Sequence, residues 1–330
     1  MTLAPLDEIR ARVHTLHERP GLVIDADTHV SDPDTLPDDL RRRMEETPYY
    51  FHGRPISAEE LVAEMDAAGV DASLIWQNPS ATPYDDDLDA NAERLIAANR
   101  YIRDAGRSFP DRLLPAGWTD PKALGVDNAK QLARICVEEF GFCIVKMNPA
   151  QNAFSINHEM VAETVDHIVA LGAIPAFHFG ADTPYTPPEG FLSIARRHPN
   201  HPIIGVHMGG GGAGYVEGER HYQACRQMGI DQTNIFFIQS AKRDTHAESD
   251  FLAYAATPDA WRRIAVASDA PYGRQSWNFG GYRCMFDTLR RPEAVLSDEI
   301  IAGYMGDNFR RFLIDGWLRL LDLHQVSAER

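Results

Sequence analysis

Residues 22–33, Leu22-Val-Ile-Asp-Ala-Asp-Thr-His-Val-Ser-Asp-Pro33, open as a short apolar run and end in acids and an imidazole. No glycine-rich turn follows, as it would in a nucleotide-binding open sheet. Seven further runs of Val, Ile, Leu and Phe stand at Val70–Trp76, Leu113–Trp118, Phe142–Met147, Ala173–Phe179, Ile203–His207, Ile235–Gln239 and Ile264–Ser268. Segments of helical period separate them, and from the fourth run onward the starts fall about 30 residues apart, the length of one βαβ repeat. Eight such units predict an α/β fold, a (β/α)8 TIM barrel in a single domain.

Helix signals fit that rhythm. Ser57-Ala-Glu-Glu60 is a capping box, Gly69 sits where a glycine stop belongs, and helices are expected over Asp120–Phe140 and Asn157–Leu171. Leu6, Ile9, Val13 and Leu16 recur at helical spacing. They predict an N-terminal helical arm over residues 1–20, docked on a barrel domain that spans 21–330 and includes the C-terminal helices.

Composition narrows the function. Of 330 residues, 44% are hydrophobic and 24% charged, an average globular balance that excludes a disordered chain. Lys plus Arg number 32 against 48 Asp plus Glu, a net charge of −16, and that field repels a phosphate backbone, so no nucleic-acid partner is expected. The four cysteines, Cys136, Cys143, Cys225 and Cys284, form no CxxC pair and read as buried thiols. No apolar run is long enough for a membrane span or a signal peptide, so a cytoplasmic protein with a small-molecule substrate is expected.

In a barrel the chemistry sits at the C-terminal ends of strands. Four ends carry it here: Asp25, Asp27 and His29 on the first, His178 in Pro175-Ala-Phe-His178-Phe-Gly180, His207 in Gly205-Val-His207-Met-Gly-Gly210, and Asp269 in Val266-Ala-Ser-Asp269-Ala-Pro-Tyr272. A lone histidine closing an apolar strand is more often a hydrogen-bonded core residue than a ligand. Carboxylates and three imidazoles converging on one mouth, however, supply the donors that Zn²⁺, Fe²⁺ or Mn²⁺ accept.

The order Asp-x-His, His, His, Asp at strand ends one, five, six and eight resembles the amidohydrolase superfamily, in its amidohydrolase-2 branch of metal-dependent hydrolases and non-oxidative decarboxylases. Gly141-Phe-Cys-Ile-Val-Lys146-Met-Asn-Pro149, His207-Met-Gly-Gly210 and Gly306-Asp-Asn-Phe-Arg-Arg-Phe312 add to the likeness, which covers about residues 22–315. The resemblance implies that Asp27, His29, His178 and Asp269 hold one divalent metal ion, zinc first, with manganese or iron as alternatives. It also implies that His207 acts as an acid or electrophile. The chain departs from the family at Asp27, where His-x-His, or Glu-x-His in the decarboxylases, is usual.

From that ligand set the leading expectation is hydrolysis of a carbonyl-containing organic molecule, aromatic or carboxylated, by a metal-bound hydroxide. Asp269 would take the water's proton, and His207 would polarise the carbonyl or protonate the leaving group. A decarboxylase using the same site is the first alternative. The second, which the resemblance implies because some amidohydrolase-like barrels bind two irons, is a diiron monooxygenase on a bulky or CoA-linked substrate, with Glu217, Glu219 and His221 as donors to a second metal. For substrate contact the candidates are Trp76, Trp118, Lys146, Tyr272 and Arg274, with carbamylation of Lys146 as a further option; Asp25 is expected to orient a neighbour. Gly209-Gly-Gly-Gly-Ala-Gly214 matches a dinucleotide pattern, but it follows the sixth strand and reads as a loop beside His207. The insertion from Leu36 to Pro55, with Tyr49-Tyr50-Phe51, reads as a lid or a homodimer contact.

Overall fold

The computed structural model describes residues 3–48, 53–180, 184–210, 215–240, 244–272 and 296–328. Nine parallel strands run through it: β1 (Ile24–Val30), β2 (Ala72–Gln77), β3 (Leu113–Pro115), β4 (Gly117–Trp118), β5 (Ile144–Met147), β6 (Ile174–Gly180), β7 (Ile203–Gly210), β8 (Ile235–Gln239) and β9 (Ile264–Val266). They pair in sequence order as two sheets, β1-β2-β3 and β4 through β9. Each of the eight expected runs contains a strand. The third is split where the ladder changes partner: Ala116 N still donates to Ile75 O of β2 at 3.1 Å, and Thr119 N donates to Lys146 O of β5 at 2.9 Å.

At the other end of the series the chain beyond β9 returns to β1. Asp269 N donates to Asp27 O at 2.9 Å and His29 N to Ala270 O at 2.7 Å, with a parallel bridge between Thr28 and Ala270. The first and last strands therefore meet, as a TIM-barrel-type fold requires. Nearly every strand residue is buried, which is why the strands read as continuous apolar runs and not as an alternation.

The helices follow their local signals with one exception. Ser57 and Glu60 form the expected capping box at the start of the helix Ala58–Ala68, and Gly69 closes it with φ 73°. The helix expected over Asp120–Phe140 is three pieces, Pro121–Leu124, Val126–Arg134 and a wide turn at Ile135–Glu139, because Gly125 with φ 75° breaks it. The N-terminal helix Leu3–His17 buries Ile9 and Leu16, and its Arg12 donates to Gly106 O and Leu113 O. Among the described residues no helix is long and apolar enough to cross a membrane. Cys136, Cys143 and Cys225 are buried, and Cys284 lies outside the described residues.

Gly306-Asp-Asn-Phe-Arg-Arg-Phe312 does its work at the end of the barrel opposite the histidines. Asp307 Oδ1 accepts from Gly21 N at 2.9 Å and from Arg310 Nε at 2.7 Å, while Arg310 Nη1 donates to Leu16 O at 2.8 Å. One motif thus ties the N-terminal helix, the lead into β1 and the helix Asn308–Ala328 together. Gly306 is fixed by a close approach: a Cβ there would lie 2.0 Å from Leu22 O and 2.8 Å from Ile24 N, both backbone atoms. Gly306→Ala is therefore expected to destabilise the fold by at least about 1–3 kcal/mol, the range for overpacking. An unchanged urea unfolding midpoint would contradict this close contact.

Candidate metal centre

Irregular backbone places the chemistry. β1 slips against β2 between Asp25, opposite Ser73, and Thr28, opposite Ile75, so an extra residue is absorbed just where Asp27 sits. β7 slips more: His178 faces Val206 but Gly180 faces Gly210, so His207, Met208 and Gly209, with φ of 74°, 47° and 71°, stand against Phe179 alone. Asp269 also has a positive φ of 59°. Left-handed conformations cost non-glycine residues on the order of 1–3 kcal/mol each and persist where the surroundings over-determine them. Here they re-aim side chains at strand ends.

Asp27, His29 and Asp269 are buried, and one donor atom from each lies within 4.8 Å of the others. His29 Nε2 is 3.8 Å from Asp27 Oδ1 and 3.6 Å from Asp269 Oδ1, while its Nδ1 is 2.8 Å from Gln77 O. A carbonyl only accepts, so Nδ1 carries the proton and Nε2 turns its lone pair to the two carboxylates. Burial, then the charge of Lys146, pushes His29 down to about 4, so the ring is neutral at pH 7. Asp27 accepts from Trp76 Nε1 at 2.8 Å, Lys146 Nζ at 3.3 Å and Ser240 Oγ at 2.6 Å. Burial opposes its charge, but Lys146 first, then the imidazoles and the Ser240 hydroxyl, outweigh burial and hold the carboxyl below the usual range.

His178 and His207 are joined. His207 Nε2 lies 3.0 Å from His178 Nδ1, and His207 Nδ1 lies 2.8 Å from Ser240 Oγ, so both nitrogens of His207 are engaged. His178 Nε2 is buried with no hydrogen-bond partner among the described residues. Burial is the main cause holding both rings below the ordinary imidazole value, and it leaves them neutral.

The aromatic and cationic candidates separate. Trp76 and Trp118 are fully buried behind the cluster, with Lys146 Nζ 4.8 and 5.1 Å from their ring centres. Two indole faces and a carboxylate suit an ammonium and would repel a carbamate. Tyr272 is partly exposed, stands edge-on to His29 at 5.6 Å, and bonds Ser80 Oγ at 2.7 Å and Asn78. Asp25 is buried, its Oδ1 accepting from Ser268 N at 2.9 Å and Asp27 N at 3.3 Å.

Arg274, Tyr49, Tyr50, Phe51 and residues 211–214 lie outside the described residues. The helix Tyr215–Asp231 carries Glu217, Glu219 and His221, but their side chains are also outside them. Sequence reading missed Ser240. Its signal was a hydroxyl directly after the apolar run Ile235–Gln239, at a strand's C-terminal end.

A sequence model of the amidohydrolase family matches residues 24–313. No curated protein matches the chain. Among solved structures it resembles 2,6-dihydroxybenzoate decarboxylase from Rhizobium, with TM-score 0.64 and 16% identity over 89% of this chain and 98% of that one. It also resembles 5-carboxyvanillate decarboxylase from Novosphingobium aromaticivorans, complexed with manganese and 4-hydroxy-3-methoxy-5-nitrobenzoic acid, with TM-score 0.63 and 15% identity over 88% and 96%. A third is 4-oxalomesaconate hydratase from Rhodopseudomonas palustris, with TM-score 0.55 and 17% identity over 93% and 99%. At these identities the likeness is one of fold.

Burial raises the Asp25 carboxyl to about 7, well above the usual carboxylate range. An acid whose pKa is raised on folding contributes stability while protonated and loses it as pH climbs from the unfolded to the folded value. Asp25→Asn keeps the acceptor for both N–H groups and carries no charge at any pH. In chelator, the stability of the variant relative to wild type is expected to rise between pH 4 and pH 7 and then level off. Urea denaturation giving the same difference at pH 5 and pH 8 would contradict a neutral Asp25.

Proposed function

The chain belongs to the amidohydrolase family of enzymes, and from that premise we propose that it is a metal-dependent enzyme that removes carboxylate from an aromatic acid without oxidation. The donor set supports one divalent ion of the manganese or zinc kind, with iron as a further option. Asp27, His29 and Asp269 are buried within ligand reach of one another, and His178 Nε2 is a buried lone pair in need of a partner. Asp27 already accepts three hydrogen bonds, so of the roughly four lone pairs on a carboxylate it has one to give a metal. A bound ion would supply positive charge for the substrate's oxygens and for the electrons left when CO₂ departs.

The observation that carries this reading is the engagement of both nitrogens of His207. Hydrolysis as the sequence suggests it uses a base for water and a separate acid, His207, for the leaving group. With His207 committed to His178 and Ser240, Asp269 is the acid–base group left beside the cluster among the described residues. Decarboxylation asks for one proton at the carbon that loses CO₂, which a single carboxyl group can deliver. Asp27 also keeps a carboxylate at the first-strand position where Glu-x-His decarboxylases have one. Tyr272, edge-on to His29, offers a wall for a planar acid.

Hydrolysis is the second reading, favoured by the position of Asp269 3.6 Å from His29, where one carboxylate could take water's proton and pass it to the leaving group in turn. A panel of hydroxylated benzoates, aryl esters and lactones, assayed with Mn²⁺ or Zn²⁺ for CO₂ and for products, separates the two. CO₂ with one equivalent of decarboxylated arene is expected, and Asp269→Asn is expected to lose about 10²- to 10⁴-fold in rate, the range for a lost acid–base group. Hydrolysis products without CO₂ would overturn the first reading in favour of the second.

A further inference from the structure

Four polar groups form an unbroken series in the centre of the site: His178 Nδ1 to His207 Nε2 at 3.0 Å, His207 Nδ1 to Ser240 Oγ at 2.8 Å, and Ser240 Oγ to Asp27 Oδ2 at 2.6 Å. Its direction follows from counting protons. Asp27, beside the ammonium of Lys146, is an ionised carboxylate and only accepts, so Ser240 spends its single proton there. The Ser240 oxygen must then receive a proton from His207 Nδ1. A neutral imidazole with Nδ1–H has a bare Nε2, and that nitrogen can only accept, so His178 donates from Nδ1 and its own Nε2 is left with an unshared pair. His29 reaches the same tautomer by a different partner, the Gln77 carbonyl.

We propose that Ser240 is a positioning residue that sets the tautomer of His207 and, through it, that of His178, so that His178 presents Nε2 as a bare donor. Resting on the metal-site reading above, this makes Ser240 and His207 the hydrogen-bond partners that orient two ligands at once, Asp27 from one end and His178 from the other. Groups that hold a ligating histidine by its second nitrogen commonly matter 10- to 100-fold in metal affinity. Without Ser240, His207 Nδ1 loses its acceptor, the preference for Nδ1–H lapses, and His178 can swing to the tautomer that blocks Nε2 with a proton.

The test uses the full chain labelled with ¹⁵N-histidine, with long-range ¹H–¹⁵N correlations assigned through His178→Gln and His207→Gln, and Mn²⁺ affinity measured against a competing chelator. Metal-free wild type is expected to carry Nδ1–H at both His178 and His207. Ser240→Ala is expected to lose that signature at both rings and to bind Mn²⁺ about 10- to 100-fold more weakly, and Ser240→Thr, which keeps the hydroxyl, to restore both. Nε2–H at either ring in wild type, or a Ser240→Ala variant with unchanged tautomers, would overturn the proposal. Wild type with the expected tautomers that holds no Mn²⁺ would support the tautomer series while refuting the metal reading.

Discussion

Asp27 carries its charge inside the sheet, where no solvent reaches it, and much of the site is arranged to answer that charge. An ionised carboxylate buried without partners would protonate or unfold the chain. Trp76, Lys146 and Ser240 supply three donors, and each comes from a different strand end: β2, β5 and the residue after β8. The same carboxylate's backbone carbonyl accepts from Asp269 N, so the residue that anchors the electrostatics also joins the first and last strands. Trp76 and Lys146 are thereby committed as supports, packed behind the cluster.

The two ends of the barrel divide their labour. At the end where the strands begin, Gly306, Asp307 and Arg310 lock the closing helix to β1 and the N-terminal helix by close packing and hydrogen bonds. At the end where the strands finish, left-handed residues at His207, Met208 and Asp269 hold side chains where regular strands would not put them. Three of the five non-glycine residues with positive φ among the described residues thus stand at the site, and the closest backbone approach at the other end is the one at Gly306.

The sequence made the architecture legible because parallel strands buried on both faces must be continuous apolar runs, and eight of these are hard to misread. It also placed Asp27, His29, His178, His207 and Asp269 at strand ends, since polar groups closing such runs stand out. What stayed hidden depends on contacts between distant segments. The split at Ala116 is a change of ladder partner from β2 to β5, and the break at Gly125 depends on one dihedral angle. The commitment of His207 could not be read at all, because nothing in Ile235-Phe-Phe-Ile-Gln239 announces that the next residue, Ser240, reaches both an imidazole and Asp27. A motif therefore revealed which residues meet without revealing which of their atoms remain available.

Asp27, His29, His178 Nε2 and Asp269 are proposed to form one metal site. Anomalous diffraction from crystals grown with Mn²⁺ tests it directly. A single strong peak is expected about 2.0–2.3 Å from a donor atom of each of the four residues, the range of first-row metal bonds to nitrogen and oxygen. A well-ordered crystal with no peak there, or with a peak bonded to His207 in place of His178, would contradict it.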